Sequence, residues 1–186
     1  MYPFIRLMKE HLAYRRSSLD LLGTHVSRHI CWPWDLDPWR ELNNGRTLTL
    51  FDLGRIPLMT RTGMVQSLIR HRWGVTVAGG SLRYRRRVRI FHRFELRSRI
   101  IGWDHRFLYV EHAMWRNGEA LNHALLRLAV TDAAGILAPG RLVEAIGDAG
   151  RMSPPMPDWV IAWIAADAQR PWPPERGAEA QSGGLA

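Results

Sequence analysis

Asp35-Leu36-Asp37-Pro38-Trp39-Arg40-Glu41-Leu42-Asn43-Asn44 is the stretch on which the reading of this chain turns. It is an acidic loop that ends in two asparagines, and asparagine is well suited to accept the first free N–H groups of a helix. The residues that follow supply that helix, with Leu48, Phe51, Leu53 and Ile56 along it, and Pro57 is expected to kink or end it. A second helical stretch follows, with Met64, Val65, Leu68 and Ile69 at helical spacing up to His71, and Trp73-Gly74 closes it.

Upstream of the motif, His25 to Trp32 reads as a strand, because Val26, Arg28, Ile30 and Trp32 alternate with His25, Ser27, His29 and Cys31. Downstream, the period changes to two from Val75. Phe94, Leu96, Ser98 and Ile100 fall on one face, and Arg93, Glu95, Arg97 and Arg99 on the other. Phe107 to Trp115 and Leu121 to Val130 continue the pattern, joined by Asn117-Gly118, a strong hairpin signal. Gly79-Gly80 inside the Val75 to Val88 strand predicts a bulge or a bend rather than a break. Pro139 to Ile146 reads as a short helix, and Asp158 as the cap of a last one bearing Trp159, Val160, Trp163 and Ile164. The order is strand, long helix, four antiparallel strands and C-terminal helix.

Composition sets the outer bounds. The 186 residues, 46% of them hydrophobic, fit one domain with a substantial core. Basic residues outnumber acidic ones 26 to 17, for a formal charge of +9, and Lys9 is the only lysine. An acidic partner is favoured, and net charge alone does not choose among nucleic acid, anionic membrane and phosphorylated small molecules. The chain carries none of the usual nucleic-acid reader motifs, so nucleic acid is the weakest of these readings. Cys31 is the only cysteine, which excludes an intrachain disulfide and makes the cytoplasm the default location. Nothing approaches the ~20 apolar residues that span a bilayer, and Met1 to Leu12 does not read as a signal peptide. Phe4, Ile5, Leu7 and Met8, followed by Arg15 and Arg16, allow a helix in peripheral contact with a membrane or docked on its own domain.

One long helix between a first strand and a four-strand meander is the arrangement of the hotdog fold. The quoted stretch resembles the D-x-D-x-x-G-H-x-N-N segment of the hotdog-fold acyl-CoA thioesterases related to 4-hydroxybenzoyl-CoA thioesterase, in register at both aspartates and both asparagines. A closer likeness is to the divergent thioesterase branch that includes thioesterase superfamily member 6. There Glu-Leu-Asn-Asn-Gly-Arg leads into a helix with Asp-Leu-Gly-Arg, as Glu41 to Arg46 and Asp52 to Arg55 do here. The resemblance implies an α+β hotdog domain, a long central helix wrapped by a curved antiparallel sheet, with an extra C-terminal helix. Residues 1–186 are then a single domain, with a core at about 24–132, a helical extension at 139–169 and a loose tail at 170–186. The chain departs from the motif where Arg40-Glu41 stands in place of Gly-His, which removes a flexible backbone position and an imidazole.

The same resemblance implies the chemistry. Thioester hydrolysis needs a carboxylate to attack the carbonyl or activate water, and donors for the oxyanion that forms. The second aspartate of the motif carries over onto Asp37, and the helix start places the Asn44 backbone N–H at the polarising position. Asp35 is expected only to shape the turn. Asn43 is a cap first and a substrate-positioning group second, and Glu41 a first-turn partner of the helix dipole before a substitute acid. Asp52 lies eight residues beyond Asn44, a rise of roughly 12 Å on a helix, so it would reach a shared carbonyl only from a partner subunit. An ion pair with Arg55 or Arg46 is its plainer role.

Arg83, Arg85, Arg87 and Arg89 share one parity of an extended segment, with Arg86 opposite. The row suits the phosphates of coenzyme A and equally suits a solvated sheet face. His25 and His29 would lie roughly 13 Å apart on a strand, so no metal site is expected. His112 and His123 read as structural, Cys31 as a small buried residue, and the tryptophans chiefly as packing, with Trp34 or Trp39 able to wall an acyl pocket. No cofactor is implied beyond a coenzyme A thioester as substrate. The expected partners are acyl-CoA or an acyl carrier protein and a second copy of the chain, as a homodimer or dimer of dimers. A non-catalytic hotdog dimer that binds the same ligands is the alternative to an enzyme.

Overall fold

The computed structural model describes residues 2–175, in two compact units that divide at Pro154 and Pro155. The first unit begins with α1 (Phe4–Tyr14) and β1 (His25–Ile30), then α2 (Asn44–Arg61), α3 (Met64–His71) and β2 (Gly74–Tyr84). It continues with β3 (Arg93–Trp103), β4 (Leu108–Arg116), β5 (Glu119–Asp132), β6 (Gly135–Leu137) and α4 (Pro139–Ala145). The strands form one antiparallel sheet in the order β1-β3-β4-β5-β2, with β6 paired to β5, and α2 packs on it. This is the α+β hotdog arrangement. The second unit holds α5 (Asp158–Ala168), with Pro157 at its N-cap and Asp158 in its first turn. The tail expected beyond residue 170 lies largely outside the described residues.

Pro57 neither ends nor breaks α2, which runs on to Arg61. A proline inside a helix costs about 3 kcal/mol. Leu50, Phe51, Leu53 and Leu58 are fully buried on either side of it, and each is worth about 1.5–3 kcal/mol of burial. Packing therefore overrides propensity. The approach of helix to sheet is closest at Gly54, where a β-carbon would stand 2.1 Å from the Ser98 Oγ and 3.0 Å from Leu96 Cδ2. Any other residue there would have to move the Ser98 and Leu96 side chains of β3.

The sheet follows its sequence pattern from β3 onward. Phe94, Leu96, Ser98 and Ile100 are buried, and Asn117 and Gly118 take the positive φ values (51° and 80°) that a tight hairpin turn requires. A bulge separates Val77 from Gly79 in the β2–β5 ladder. The first strand, observed over His25–Ile30 and so two residues shorter than its sequence suggests, buries its polar parity: His25, Ser27 and His29 face inward. Ser27 Oγ shares a 2.8 Å hydrogen bond with His29 Nε2, Arg61 donates to His25 Nδ1 at 3.0 Å, and Ser98 Oγ meets His112 Nδ1 at 2.7 Å. Burial pushes His25 down to about 4 and His29 down to about 3, and holds His112 well below the ordinary imidazole value. All three are neutral under ordinary conditions.

Two expectations drawn from sequence pattern need correction here. The arginine row does not hold one parity, because β2 ends at Tyr84 and the Arg85 and Arg86 N–H groups both donate to the Leu121 carbonyl at 2.9 Å. The doubled donor turns the chain, so alternation stops at Arg85. Trp34 and Trp39 are 68% and 79% exposed and do not serve as packing, although Trp34 stacks on Trp32 with ring centroids 5.4 Å apart. They sit on a loop outside both core clusters.

Candidate functional site

The motif folds as a small loop between β1 and α2, held at its base by Asp35. That carboxylate is fully buried and accepts from Arg6 Nη2 at 2.6 Å, from Arg46 Nε at 2.7 Å and from the Trp32 N–H at 3.0 Å. Its own carbonyl accepts from the Asn43 N–H at 2.9 Å. Asp35 does more than shape a turn, since it ties α1, the loop and α2 to one point.

Beyond it, Leu36 pairs with Leu42 and the Asp37 N–H donates to the Glu41 carbonyl at 2.8 Å, which closes a tight turn over Pro38 to Arg40. Arg40 takes φ 61°, in the left-handed region, a conformation that costs an ordinary residue about 1–2 kcal/mol. The backbone geometry for which glycine is suited is therefore kept, with arginine in its place. Asp37 is half-buried, and its Oδ1 accepts from the Trp39 N–H at 2.9 Å and the Glu41 N–H at 3.3 Å. Its Oδ2 has no partner among the described residues.

Glu41 is not in the first turn of a helix. It bridges to Arg89 in a short antiparallel contact, two residues ahead of the Asn43 cap, and its carboxylate lies 3.2 Å from Arg87 Nε. Asn43 caps α2 through Oδ1, which accepts the Arg46 N–H at 3.0 Å. Asn44 is the first helical residue, so its N–H has no acceptor within the helix and points with the positive end of the dipole. Its carbonyl accepts from the Tyr84 hydroxyl at 3.2 Å, which pins the helix start to β2. Asp52 pairs with Arg55 and accepts from the Tyr2 hydroxyl at 3.0 Å, and burial, then the Asp52 charge, push that phenol up to about 12.

A cavity of about 240 Å³ opens at the start of α2. Glu41, Asn44 and Thr47 form one wall, and Tyr84 with Arg85, Arg86 and Arg87 the other, over Asn122. Of the residues singled out in the sequence, the cavity gathers Glu41, Asn44, Arg85 and Arg87. It does not gather Asp37, Asn43, Asp52 or Arg83. Tyr84 and Asn122 carry no motif. Asn122 is followed by His123 and, further along the same strand, by Arg127, so its sequence setting gives no distinct signal. Neither Trp34 nor Trp39 lines the cavity.

A curved sheet on a central helix, with the cavity at the helix start, defines the hotdog class. Solved structures agree on the fold. The YbaW Probable Thioesterase of Escherichia coli superposes with a TM-score of 0.62 at 17% identity, over 68% of this chain and 99% of that one. A thioesterase of Thermus thermophilus, solved with coenzyme A and Zn, gives 0.57 at 24% identity, over 66% and 97%. Residues 31–164 match the Thioesterase-like superfamily, and the chain belongs to that family. Among its relatives, Protein THEM6 of Xenopus laevis is 31% identical over 147 residues, which is 78% of this chain and 69% of the frog protein. Protein THEM6 of Drosophila melanogaster is 32% identical over 83 residues, which is 44% of this chain and 43% of the fly protein.

Proposed function

We propose that the chain hydrolyses an acyl thioester, with acyl-CoA or an acyl carrier protein as the substrate. The observation that carries this reading is Asn44, the first residue of α2 with no intrahelical acceptor for its N–H, in the wall of a cavity rimmed by Arg85, Arg86 and Arg87. The helix N-terminus suits a developing oxyanion, and the arginines suit phosphate. Asp37 acts as general base or nucleophile. As base, its open Oδ2 takes a proton from water, whose oxygen attacks the thioester carbonyl; the Asn44 N–H holds the oxyanion, and collapse releases the thiolate, which is then protonated.

One observation favours a second assignment within the same reaction. Glu41 lines the cavity and Asp37 does not, so in a single copy Glu41 is the nearer carboxylate. A second copy of the chain would bring further groups to the site. The exposed outer edge of β2, with Val75 and Val77 on it, supports such a homodimer through edge-to-edge pairing. Buried Cys31, its thiol pushed up to about 11 by burial and by the Asp35 charge, is an inert thiol compatible with a cytoplasmic protein. Among the described residues no helix is long and apolar enough to cross a membrane. The test is a panel of acyl-CoA thioesters of graded chain length: turnover of one or more supports the enzyme, and tight binding without turnover on any of them supports the non-catalytic dimer instead.

A further inference from the structure

The floor of the cavity carries a group that no motif announces. Asn122 of β5 is 4% exposed and lies across from Tyr84 on one side and Met114 on the other. Its Nδ2 donates to Met114 Sδ at 3.3 Å, a weak acceptor, and its Oδ1 has no hydrogen-bond partner among the described residues. Buried polar atoms are nearly always paired, so a bare carboxamide oxygen at a cavity floor points to a donor brought by something else. Three chemistries meet at this cavity: the cationic side chains of Arg85 and Arg87, the Asn122 carboxamide, and Asn44, whose N–H has no acceptor within the helix. A pantetheine thioester has the matching three, which are phosphate, an arm with secondary amides, and a thioester carbonyl.

We propose that Asn122 is a substrate-binding residue whose Oδ1 accepts an amide N–H of the pantetheine arm. The proposal rests on the thioester reading above and adds the part of the substrate that is read. A ligand without that amide leaves the Asn122 oxygen bare in the complex, so sites of this kind discriminate against it.

The test compares two thioesters of one acyl group, the N-acetylcysteamine ester, which keeps the amide nearest the sulfur, and the S-ethyl ester, which lacks it. In Asn122→Leu the preference for the first over the second, as a ratio of kcat/KM, is expected to fall about tenfold, chiefly through KM, as loss of one hydrogen bond would give. The thermal midpoint of the variant should equal or exceed that of the wild type, because an apolar residue of similar size removes the unpaired oxygen. Asn122→Ala is read in the same way if leucine overpacks the site. An unchanged preference, or a parallel loss on both esters, overturns the proposal and assigns the oxygen to a buried water or to packing alone. If the wild type turns over neither ester, the hydrolase reading fails and coenzyme A binding decides: about tenfold weaker binding by Asn122→Leu upholds the Asn122 contact, and equal binding, or none by the wild type, overturns it.

Discussion

The two ends of α2 are built in opposite ways. At its start, charged and unpaired groups surround a polar cavity of about 240 Å³. Along its second half an open apolar groove of about 340 Å³ runs against α1, lined by Leu7, Met8, Tyr14, Ile56, Pro57 and Thr60. The groove is larger, and several polar groups around it are engaged within the chain, although Arg61 Nε is buried without a partner among the described residues. Arg61 donates to His25, the Tyr14 hydroxyl donates to the Val26 carbonyl at 2.9 Å, and Glu10 is buried beside Lys9. At the helix start, the Asn44 N–H has no acceptor within the helix, and the Asn122 oxygen has no partner among the described residues. Polar and charged groups gathered at a helix N-terminus, rather than volume, distinguish the end proposed for chemistry.

The comparison can be broken first at Asp35. Removing a fully buried carboxylate that holds two guanidinium groups is expected to cost about 3–5 kcal/mol. Asp35→Ala should therefore show a large loss in chemical denaturation, and a loss below about 1 kcal/mol, the size of an exposed ion pair, would mean that the polar end does not depend on this tie. At the middle of the helix, Gly54→Ala drives a methyl group into Ser98 Oγ and Leu96. The expected cost is about 1–3 kcal/mol, measured the same way.

The inward histidines sharpen the comparison by pH. Their ordinary value is 6.5, and in the folded chain His25 titrates at about 4 and His29 at about 3. The unfolded chain binds protons first as pH falls, so folding stability is full above about 6.5 and is lost progressively below it. The slope between about pH 6.5 and 5 should approach 1.4 kcal/mol per pH unit for each histidine, an upper estimate of about that size. The buried Glu10, its carboxyl raised by burial, acts with the opposite sign, adding stability as pH falls through its raised value toward its ordinary 4.5. Urea unfolding at about pH 7 and pH 5 reads the difference, and His25→Asn should flatten it.

Much of this was legible in the residues. Asn43 as cap, the alternation from Phe94 to Ile100 and the Asn117-Gly118 turn each act locally, and each is seen as read. Other features depend on contacts distant in sequence. Alternation in His25 to Ile30 defines two faces without saying which is buried, and the polar one is, with Arg61 bonded to His25 Nδ1 and Ser27 to His29. The Arg85–Arg86 turn needs the Leu121 carbonyl, far along the chain on β5, and Asp35 finds Arg6 across α1. Glu41 reads as a helix residue only until its pairing with Arg89 is known.

The central claim is that a carboxylate beside the start of α2 performs the hydrolysis, and that it is Asp37. The most direct measurement is kcat on the best acyl-CoA substrate for wild type, Asp37→Asn and Glu41→Gln, each checked for an unchanged thermal midpoint. Asp37→Asn should lower kcat by about 10²–10⁴-fold, and Glu41→Gln by no more than about tenfold. Undiminished turnover by a folded Asp37→Asn would contradict the claim, and a large loss confined to Glu41→Gln would move the chemistry to the carboxylate that lines the cavity.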